Sequence, residues 1–230
     1  MSDLLVSAAI PRLQNGDHLD GVEFMRRYDA MPDVKKAELI DGVVYMSSPV
    51  RTDVHGQPHA LFAGWLVNYF AATPGLIISD NGSVRLDARN EPQPDLSLLI
   101  DRSRGGRHGL DPEGYIDGSP DLVCEVAASS ASIDRNAKFR AYQRNGVSEY
   151  ILCRTEDVAL DWFVLRGKKY RGMVADPSGI LRSEAFPGLH LDSAAMLRGD
   201  IVRVLAVLQQ GITTPEHAAF VESLRQPPAP

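Results

Sequence analysis

The chain has 230 residues, of which 44% are hydrophobic, which suffices for one large domain or for one domain with a tail. Its formal net charge of −6 argues against a protein that coats nucleic acid by general electrostatic attraction. No run of about 18 apolar residues occurs, so no membrane span is expected, and the N-terminus lacks a signal-peptide pattern. Cys124 and Cys153 fall in predicted buried strands, which indicates reduced core cysteines and a cytoplasmic protein.

The first half of the chain has the periodicity of two helices, a hairpin and several short strands. An Asp41-Gly42 pair between two apolar runs is typical of a tight hairpin turn. Apolar residues at helical spacing after His55 predict an amphipathic helix that packs on a sheet. In chain order we predict an irregular arm over 1–17, a helix over 18–28, a hairpin over 36–46, a helix over 55–70, and strands over 76–78, 82–86 and 96–100.

The segment 120–152 organises the rest of the fold. Its apolar run 122–126 is bounded by a proline and a stretch of small residues, which predicts a buried strand. Ser129 to Ser132 offer N-caps for a helix that ends at Asn145-Gly146. A second apolar run over 149–153 follows at once, so the order strand, helix, strand predicts two parallel neighbouring strands.

The second half of the chain continues with a hairpin, a strand pair and two helices. We predict an antiparallel hairpin at the sheet edge over 158–174, a short strand pair within 179–191, and helices over 200–210 and 214–224. These elements divide the chain into an N-terminal arm (1–17), a main domain (18–199), and a C-terminal helical extension with a tail (200–230).

Glu125 is the strongest candidate for chemistry, because an ionised carboxylate in a buried strand needs a partner, a metal ion or a raised pKa. Glu38 and Asp95 lie at or beside other apolar strands, and Lys138 lies on the helix that follows Glu125. Three carboxylates can bind a hard cation such as Mg²⁺ through their oxygen atoms. Such an ion can activate water and stabilise charge on a phosphate, and the lysine can assist.

Each of these residues also has a structural interpretation. Glu125 can pair with an arginine or a lysine across the sheet, and Glu38 can be a cross-strand partner on the hairpin surface. Asp95 can cap or turn the chain after the preceding proline. Lys138 can form a solvated ion pair with Asp134, four residues earlier on the same helix face. The spacing of these residues alone therefore does not decide whether their role is structural or catalytic.

Three other features favour structural roles. Tyr142, on the same helix face as Lys138, is typical of a half-buried core aromatic residue. His55 and His59 have the i,i+4 spacing of a zinc pair, but no pattern supplies further ligands, so we favour a helix-start and surface role. The basic, glycine-rich stretch 102–109 can contact phosphates, but we interpret it as a solvated loop.

A set of short motifs occurs in one order along the chain. They are ELIDG (38–42), SP (48–49), HG (55–56), PDLS (94–97), PDLVCEV (120–126), Asp134, Lys138, Tyr142 and GVSEY (146–150). Over residues 18–192 this order resembles the Uma2 family of restriction-endonuclease-like proteins, which is assigned to the PD-(D/E)XK nuclease superfamily. The resemblance implies an α/β (α+β) fold with a restriction-endonuclease-like mixed central sheet flanked by helices.

The resemblance also implies a catalytic set. Asp95 matches the acid of the PD motif, Glu125 matches the acid of the second motif, and Glu38 matches an upstream acid that often completes the site. The superfamily pattern has a lysine two residues after the second acid, where this chain has Ala127. In this family the lysine is thought to have migrated to the following helix, which fits Lys138.

By the same resemblance, a Mg²⁺ or Mn²⁺ ion is bound by Asp95, Glu125 and the backbone carbonyl of Val126. The implied substrate is nucleic acid, and DNA is favoured over RNA. The implied assembly is a homodimer, for which the hairpin 158–174 offers one contact surface. Two hypotheses of different class follow. One is a metal-dependent nuclease in which Lys138 stabilises the developing charge. The other is a catalytically inactive nuclease-fold dimer that binds or regulates.

Overall fold

A six-stranded mixed sheet lies at the centre of the computed structural model, which describes residues 9–46, 49–128 and 134–225. Side by side its strands are β11 (Lys169–Gly172), β10 (Ala159–Arg166), β9 (Glu149–Arg154), β8 (Leu122–Ala127), β5 (Leu96–Ile100) and β3 (Leu76–Asp80). β8 and β9 pair in parallel, as the order strand, helix, strand predicted. The other neighbours are antiparallel, including the predicted edge hairpin of β10 and β11.

Shorter strands and helices surround this sheet. The short strands are β1 (Ala37–Ile40), β2 (Val43–Met46), β4 (Val84–Arg85), β6 (Gly109–Leu110), β7 (Ile116–Asp117), β12 (Ile180–Arg182) and β13 (His190–Asp192). The α-helices are α1 (Gly21–Asp29), α2 (Gln57–Ala72), α3 (Phe139–Asn145), α4 (Ser193–Leu197), α5 (Ile201–Ile212) and α6 (Pro215–Arg225). In the part of the chain that the structure describes, no helix has the length and apolar character needed to cross a membrane.

Two π-helical turns depart from the predicted helix starts. The turn Thr52–Gly56 precedes α2, and the turn Asp134–Lys138 precedes α3. Apolar periodicity cannot reveal such turns, because they change the hydrogen-bond pattern without changing which residues are apolar. The predicted N-caps at 129–132 lie outside the described residues. The predicted end of α3 is confirmed, since Gly146 adopts the left-handed conformation with a φ of 80°.

One face of the sheet packs against α2 and the C-terminal helices. Val204 and Leu208 of α5 and Leu224 of α6 belong to this core, so the predicted C-terminal extension packs on the main domain. Each large apolar side chain buried here stabilises the fold by roughly 1.5–3 kcal/mol. In the apolar stripe of α2 that predicted an amphipathic helix, Leu61 is partly buried and the other four residues are fully buried: Phe62, Trp65, Leu66 and Tyr69.

The opposite face packs against α3 through aromatic side chains. Phe139 contacts Phe163 and Tyr170 edge-on, with ring centroids 5.0 Å apart in both pairs. Tyr142 lies 5.2 Å from Tyr150 between ring centroids, and both rings are fully buried. This packing fixes α3 on the sheet and thereby fixes the residues at its N-terminal end.

The N-terminal hairpin is attached to the segment that leads into β5. Its turn has positive φ at Asp41 (53°) and Gly42 (79°), which is the tight turn that the sequence predicted. Leu39 and Glu91 exchange two backbone hydrogen bonds, of 3.2 and 2.8 Å. β1 is thereby held beside the chain just before Asp95, so that Glu38 lies near the central sheet.

Two buried acids lie away from the candidate catalytic set. Glu149 of β9 accepts hydrogen bonds from the Trp162 indole, the Ser183 hydroxyl and the backbone N–H groups of Glu184 and Ala185, at 2.7–3.0 Å. Burial raises its pKa, although the four donors oppose this rise. Glu91 is 6% exposed, and its Oε2 has no hydrogen-bond partner among the described residues. Burial raises the pKa of Glu91 to about 7.

Candidate active site

Two acids face each other where β5 and β8 part. The last paired residues are Leu96 and Cys124, so Asp95 and Glu125 occupy the next position on each strand. Side chains replace the backbone pairing here: the N–H of Asp95 donates to Glu125 Oε2 (3.3 Å), and the N–H of Val126 donates to Asp95 Oδ2 (2.8 Å). The two carboxylates are therefore held by the backbone of the opposite strand.

Lys138 joins Glu125 to Glu38 from the side of α3. Its Nζ lies 2.8 Å from Glu38 Oε1 and 3.0 Å from Glu125 Oε1, and its side chain is only 4% exposed. The backbone N–H of Gln93 also donates to Glu38 Oε1, at 2.8 Å. The structure thus brings the four predicted side chains of Glu38, Asp95, Glu125 and Lys138 together.

Tyr142 of α3 also contacts Glu125. It lies one helical turn after Lys138, and its hydroxyl donates to Glu125 Oε1 at 2.8 Å. Burial and the neighbouring carboxylate both raise the pKa of Tyr142 well above its usual value, so the hydroxyl keeps its proton. The residue is a core aromatic as interpreted, but it is fully buried and also orients Glu125.

Lys36 is a site residue that the sequence analysis missed. Its Nζ lies 3.2 Å from Asp95 Oδ1 and 3.0 Å from Asn81 Oδ1. Burial lowers its pKa, but the charges of Asp95 and the other acids outweigh this effect and leave the pKa raised. Alternation offered a signal, because Lys36 lies two residues before Glu38 and side chains at i and i+2 of an extended strand share a face.

His55 and His59 lie at the start of α2 as interpreted, but they are half-buried and not on the surface. Their side chains are 21% and 17% exposed, and their rings stack with centroids 5.9 Å apart. His55 Nε2 lies 3.3 Å from Asp95 Oδ2, while His59 Nε2 lies 3.3 Å from both Asp80 Oδ1 and the backbone oxygen of Asp95. The available signal was that His59 precedes Phe62 by three residues and so lies on the core-facing side of α2.

These contacts determine the charge state of Asp95. Burial alone would raise its pKa, but the hydrogen bond from His55, the charge of Lys36 and the N–H of Val126 together hold the pKa well below its usual value. The carboxylate is therefore ionised at neutral pH. Three acids and two lysines meet at this strand end, so the charges are nearly balanced within the protein.

Asp95 has a structural counterpart at the other end of the same strand pair. Asp121 also follows a proline and directly precedes a strand, and its Oδ2 accepts the backbone N–H of Ile100 at 3.0 Å. Asp121 is further bonded by Arg107 at 3.1 Å. Asp95 therefore closes a strand end, as its structural interpretation predicted, and in addition faces Glu125.

The basic loop lies far from this site. Arg107 contacts Asp121 at the start of β8, whereas Glu125 lies near the end of that strand. The four residue steps from Asp121 to Glu125 span about 13 Å of extended strand. Arg102 and Arg104 are exposed, in agreement with the interpretation of a solvated loop.

The donor set suits a hard divalent cation. Asp95, Glu125 and the carbonyl of Val126 offer only oxygen ligands from two adjacent strands, which is the chemistry that Mg²⁺ prefers. Within residues 9–46, 49–128 and 134–225, no three His, Cys, Asp or Glu side chains lie together as a ready-made metal-binding group. The lysines presently occupy carboxylate oxygens that an ion would use.

The mixed central sheet flanked by helices is a restriction-endonuclease-like fold. Residues 22–194 match the family model of Uma2, described as "Putative restriction endonuclease", and the chain belongs to this family.

Comparison with solved structures gives the same fold. The chain is similar to the crystal structure of a "putative nuclease belonging to DUF820" from Anabaena variabilis, with 13% sequence identity and a TM-score of 0.53. The match covers 75% of this chain and 98% of that one. A search of curated proteins finds no match.

Proposed function

We propose that this protein is a Mg²⁺- or Mn²⁺-dependent nuclease that hydrolyses phosphodiester bonds of nucleic acid, with DNA as the first substrate to test. The observation that carries the proposal is the buried contact of Lys138 with Glu38 and Glu125, directly beside Asp95. Buried charges are costly, so their concentration at one strand end favours a site for chemistry. The Uma2 family is described as "Putative restriction endonuclease" and the similar Anabaena protein as a "putative nuclease", which supports the same class of enzyme.

Each residue has a distinct role in this proposal. Asp95, Glu125 and the carbonyl of Val126 would hold the divalent cation. When bound, such a cation activates water and stabilises charge on a phosphate. Lys138 orients Glu125 and supplies positive charge that stabilises the transition state, while Glu38 holds Lys138 from the other side.

A second candidate function is a catalytically inactive nuclease-fold dimer that binds or regulates. The observation that favours it is that the lysines already neutralise Asp95 and Glu125. Under either function we propose a homodimer that uses the β10–β11 hairpin, which light scattering coupled to gel filtration tests directly. The two free, buried cysteines support a further proposal, that the protein works in the cytoplasm.

The two functions differ in metal binding. We would titrate Mg²⁺ and Mn²⁺ by calorimetry into the wild type, Asp95→Asn and Glu125→Ala, with Asp121→Asn as the matched control. The wild type and the control should bind the ion, whereas the two site variants should not. In assays with single- and double-stranded DNA and RNA, the wild type and the control should cleave the substrate, whereas the two site variants should not.

The control is informative because Asp121 closes the same strand pair as Asp95 but lies at its other end. Loss of binding in all variants would indicate a general effect on the fold, which circular dichroism would detect. A folded wild type that neither binds the ions nor cleaves any substrate would contradict the nuclease proposal and favour the inactive dimer.

A further inference from the structure

The two lysines of the site differ in their surroundings. Lys138 is enclosed, with 4% of its side chain exposed and carboxylates on two sides. Lys36 lies at the rim with 23% of its side chain exposed, and its contacts are Asp95 and Asn81. Asn81 is itself exposed and follows the end of β3. Lys36 is therefore the lysine that can reach a bound molecule without dismantling the buried network.

We propose that Lys36 is the substrate-contacting lysine of this site: it occupies Asp95 when no cation is bound and moves to the scissile phosphate when nucleic acid and cation bind. This inference rests on the proposed nuclease function. It leaves to Lys138 the orientation of Glu125 and the stabilising charge described above, and it assigns to Lys36 the direct contact with the substrate.

A cation bound by Asp95 would compete with Lys36 for this carboxylate. Lys36 Nζ already lies 3.2 Å from Asp95 Oδ1. An ammonium group and a divalent cation that share one carboxylate would repel each other strongly. Lys36 and the cation therefore compete for Asp95.

A phosphate is the anion that suits the displaced lysine. The flexible four-carbon stem of lysine lets the ammonium move to a nearby anion while its backbone stays in place. Lysine is a common point-charge ligand of phosphate groups. A phosphodiester held at the cation on Asp95 would lie beside the vacated position, so the lysine would exchange a carboxylate for a phosphate oxygen.

This exchange couples the two ligands. The cation alone must displace Lys36 without giving it a new partner, whereas the cation together with nucleic acid provides one. Binding of each ligand should consequently strengthen binding of the other, as linkage requires. The inference thus predicts weak binding of the ion alone and tighter binding in the presence of nucleic acid.

Lys36→Met tests the competition, with Lys35→Met as the matched control because Lys35 is the neighbouring, exposed lysine. Calorimetry with Ca²⁺ in the absence of nucleic acid should show about tenfold tighter binding to Lys36→Met than to the wild type. Fluorescence anisotropy with a labelled 20-base-pair DNA duplex in Ca²⁺ should show roughly tenfold weaker binding to Lys36→Met. The control should match the wild type in Ca²⁺ affinity and lose distinctly less duplex affinity than Lys36→Met.

A gain in Ca²⁺ affinity together with a loss of duplex affinity is the result expected for a lysine that leaves the ion site to contact the substrate. If Lys36→Met changes neither affinity while the wild type binds the ion, or if it weakens ion binding, the inference is wrong and the nuclease proposal stands. If the wild type binds neither the ion nor the duplex, the nuclease proposal fails and the inference fails with it. Lys36→Gln, which keeps a polar group at the rim, replaces the methionine variant if that variant does not fold.

Discussion

Replacing Lys138 by methionine tests the buried charge network most directly. The substitution keeps a side chain of similar length but removes the ammonium that lies 2.8 Å from Glu38 and 3.0 Å from Glu125. Two carboxylates would then remain buried without this partner. Breaking a buried ion pair from one side costs about 3–5 kcal/mol of the free energy of unfolding. We expect Lys138→Met to lose stability in this range.

Urea denaturation followed by tryptophan fluorescence measures this loss. For an m-value of about 2–3 kcal/mol/M, the unfolding midpoint should fall by roughly 1–2.5 M. Arg140→Met is the matched control, because Arg140 lies two residues away on α3 and is exposed. Its stability should change by no more than about 0.5 kcal/mol.

A divalent cation should partly replace the lost ammonium. At a Mg²⁺ concentration of about ten times its dissociation constant, a site present only in the folded protein adds about 1.4 kcal/mol. Equal losses in Lys138→Met and Arg140→Met would refute the reasoning, because they would mean that the contacts of Lys138 with Glu38 and Glu125 do not stabilise the fold.

Three further substitutions test other buried groups. Tyr142→Phe removes the 2.8 Å hydrogen bond to Glu125, and should lower the free energy of unfolding by about 1.5–3 kcal/mol in urea denaturation. Glu149→Gln places an amide against donors on both carboxylate oxygens, and should lower the thermal midpoint through a loss of about 2–4 kcal/mol; an unchanged midpoint would contradict the four contacts. Because burial raises the pKa of Glu91 to about 7, the stability that its protonated form contributes is full below pH 4.5 or so and is lost as the pH rises through 7. Glu91→Gln should therefore gain roughly 1–2 kcal/mol relative to the wild type between pH 5 and pH 8, after allowance for solvent screening, and parallel pH profiles of the two proteins would argue against this shift.

The spacing of apolar residues predicted the central elements, because apolar residues lie on the buried face of each helix or strand and so repeat with its period. The run 122–126, the turn at Asp41-Gly42 and the stop at Gly146 each carry a local signal, and the structure has the predicted element at each place. The burial of Glu125 was also foreseeable from its position within an apolar run. Such signals depend on a few neighbouring residues and so can be recognised in one sequence.

The contacts around Asp95 could not be predicted in the same way. Lys36 is 59 residues from Asp95 in the chain, and His55 approaches from a different element, so their meeting depends on how the hairpin and α2 pack on the sheet. Two acids in apolar strands show in the same way that the partners of a residue cannot be predicted from its local sequence. Glu125 and Glu149 look alike in sequence, yet a lysine neutralises one and backbone N–H groups bind the other.

The sharing of two lysines among three acids has a consequence for how this sequence can evolve. Loss of Lys138 would remove the ammonium that both Glu38 and Glu125 contact, and loss of Asp95 would remove the carboxylate that Lys36 contacts. A lineage released from selection for catalysis would thus still be held near this set by the demands of folding. Drift should then change the contacting charges together, which would leave correlated substitutions at positions 36 and 95, and among positions 38, 125 and 138.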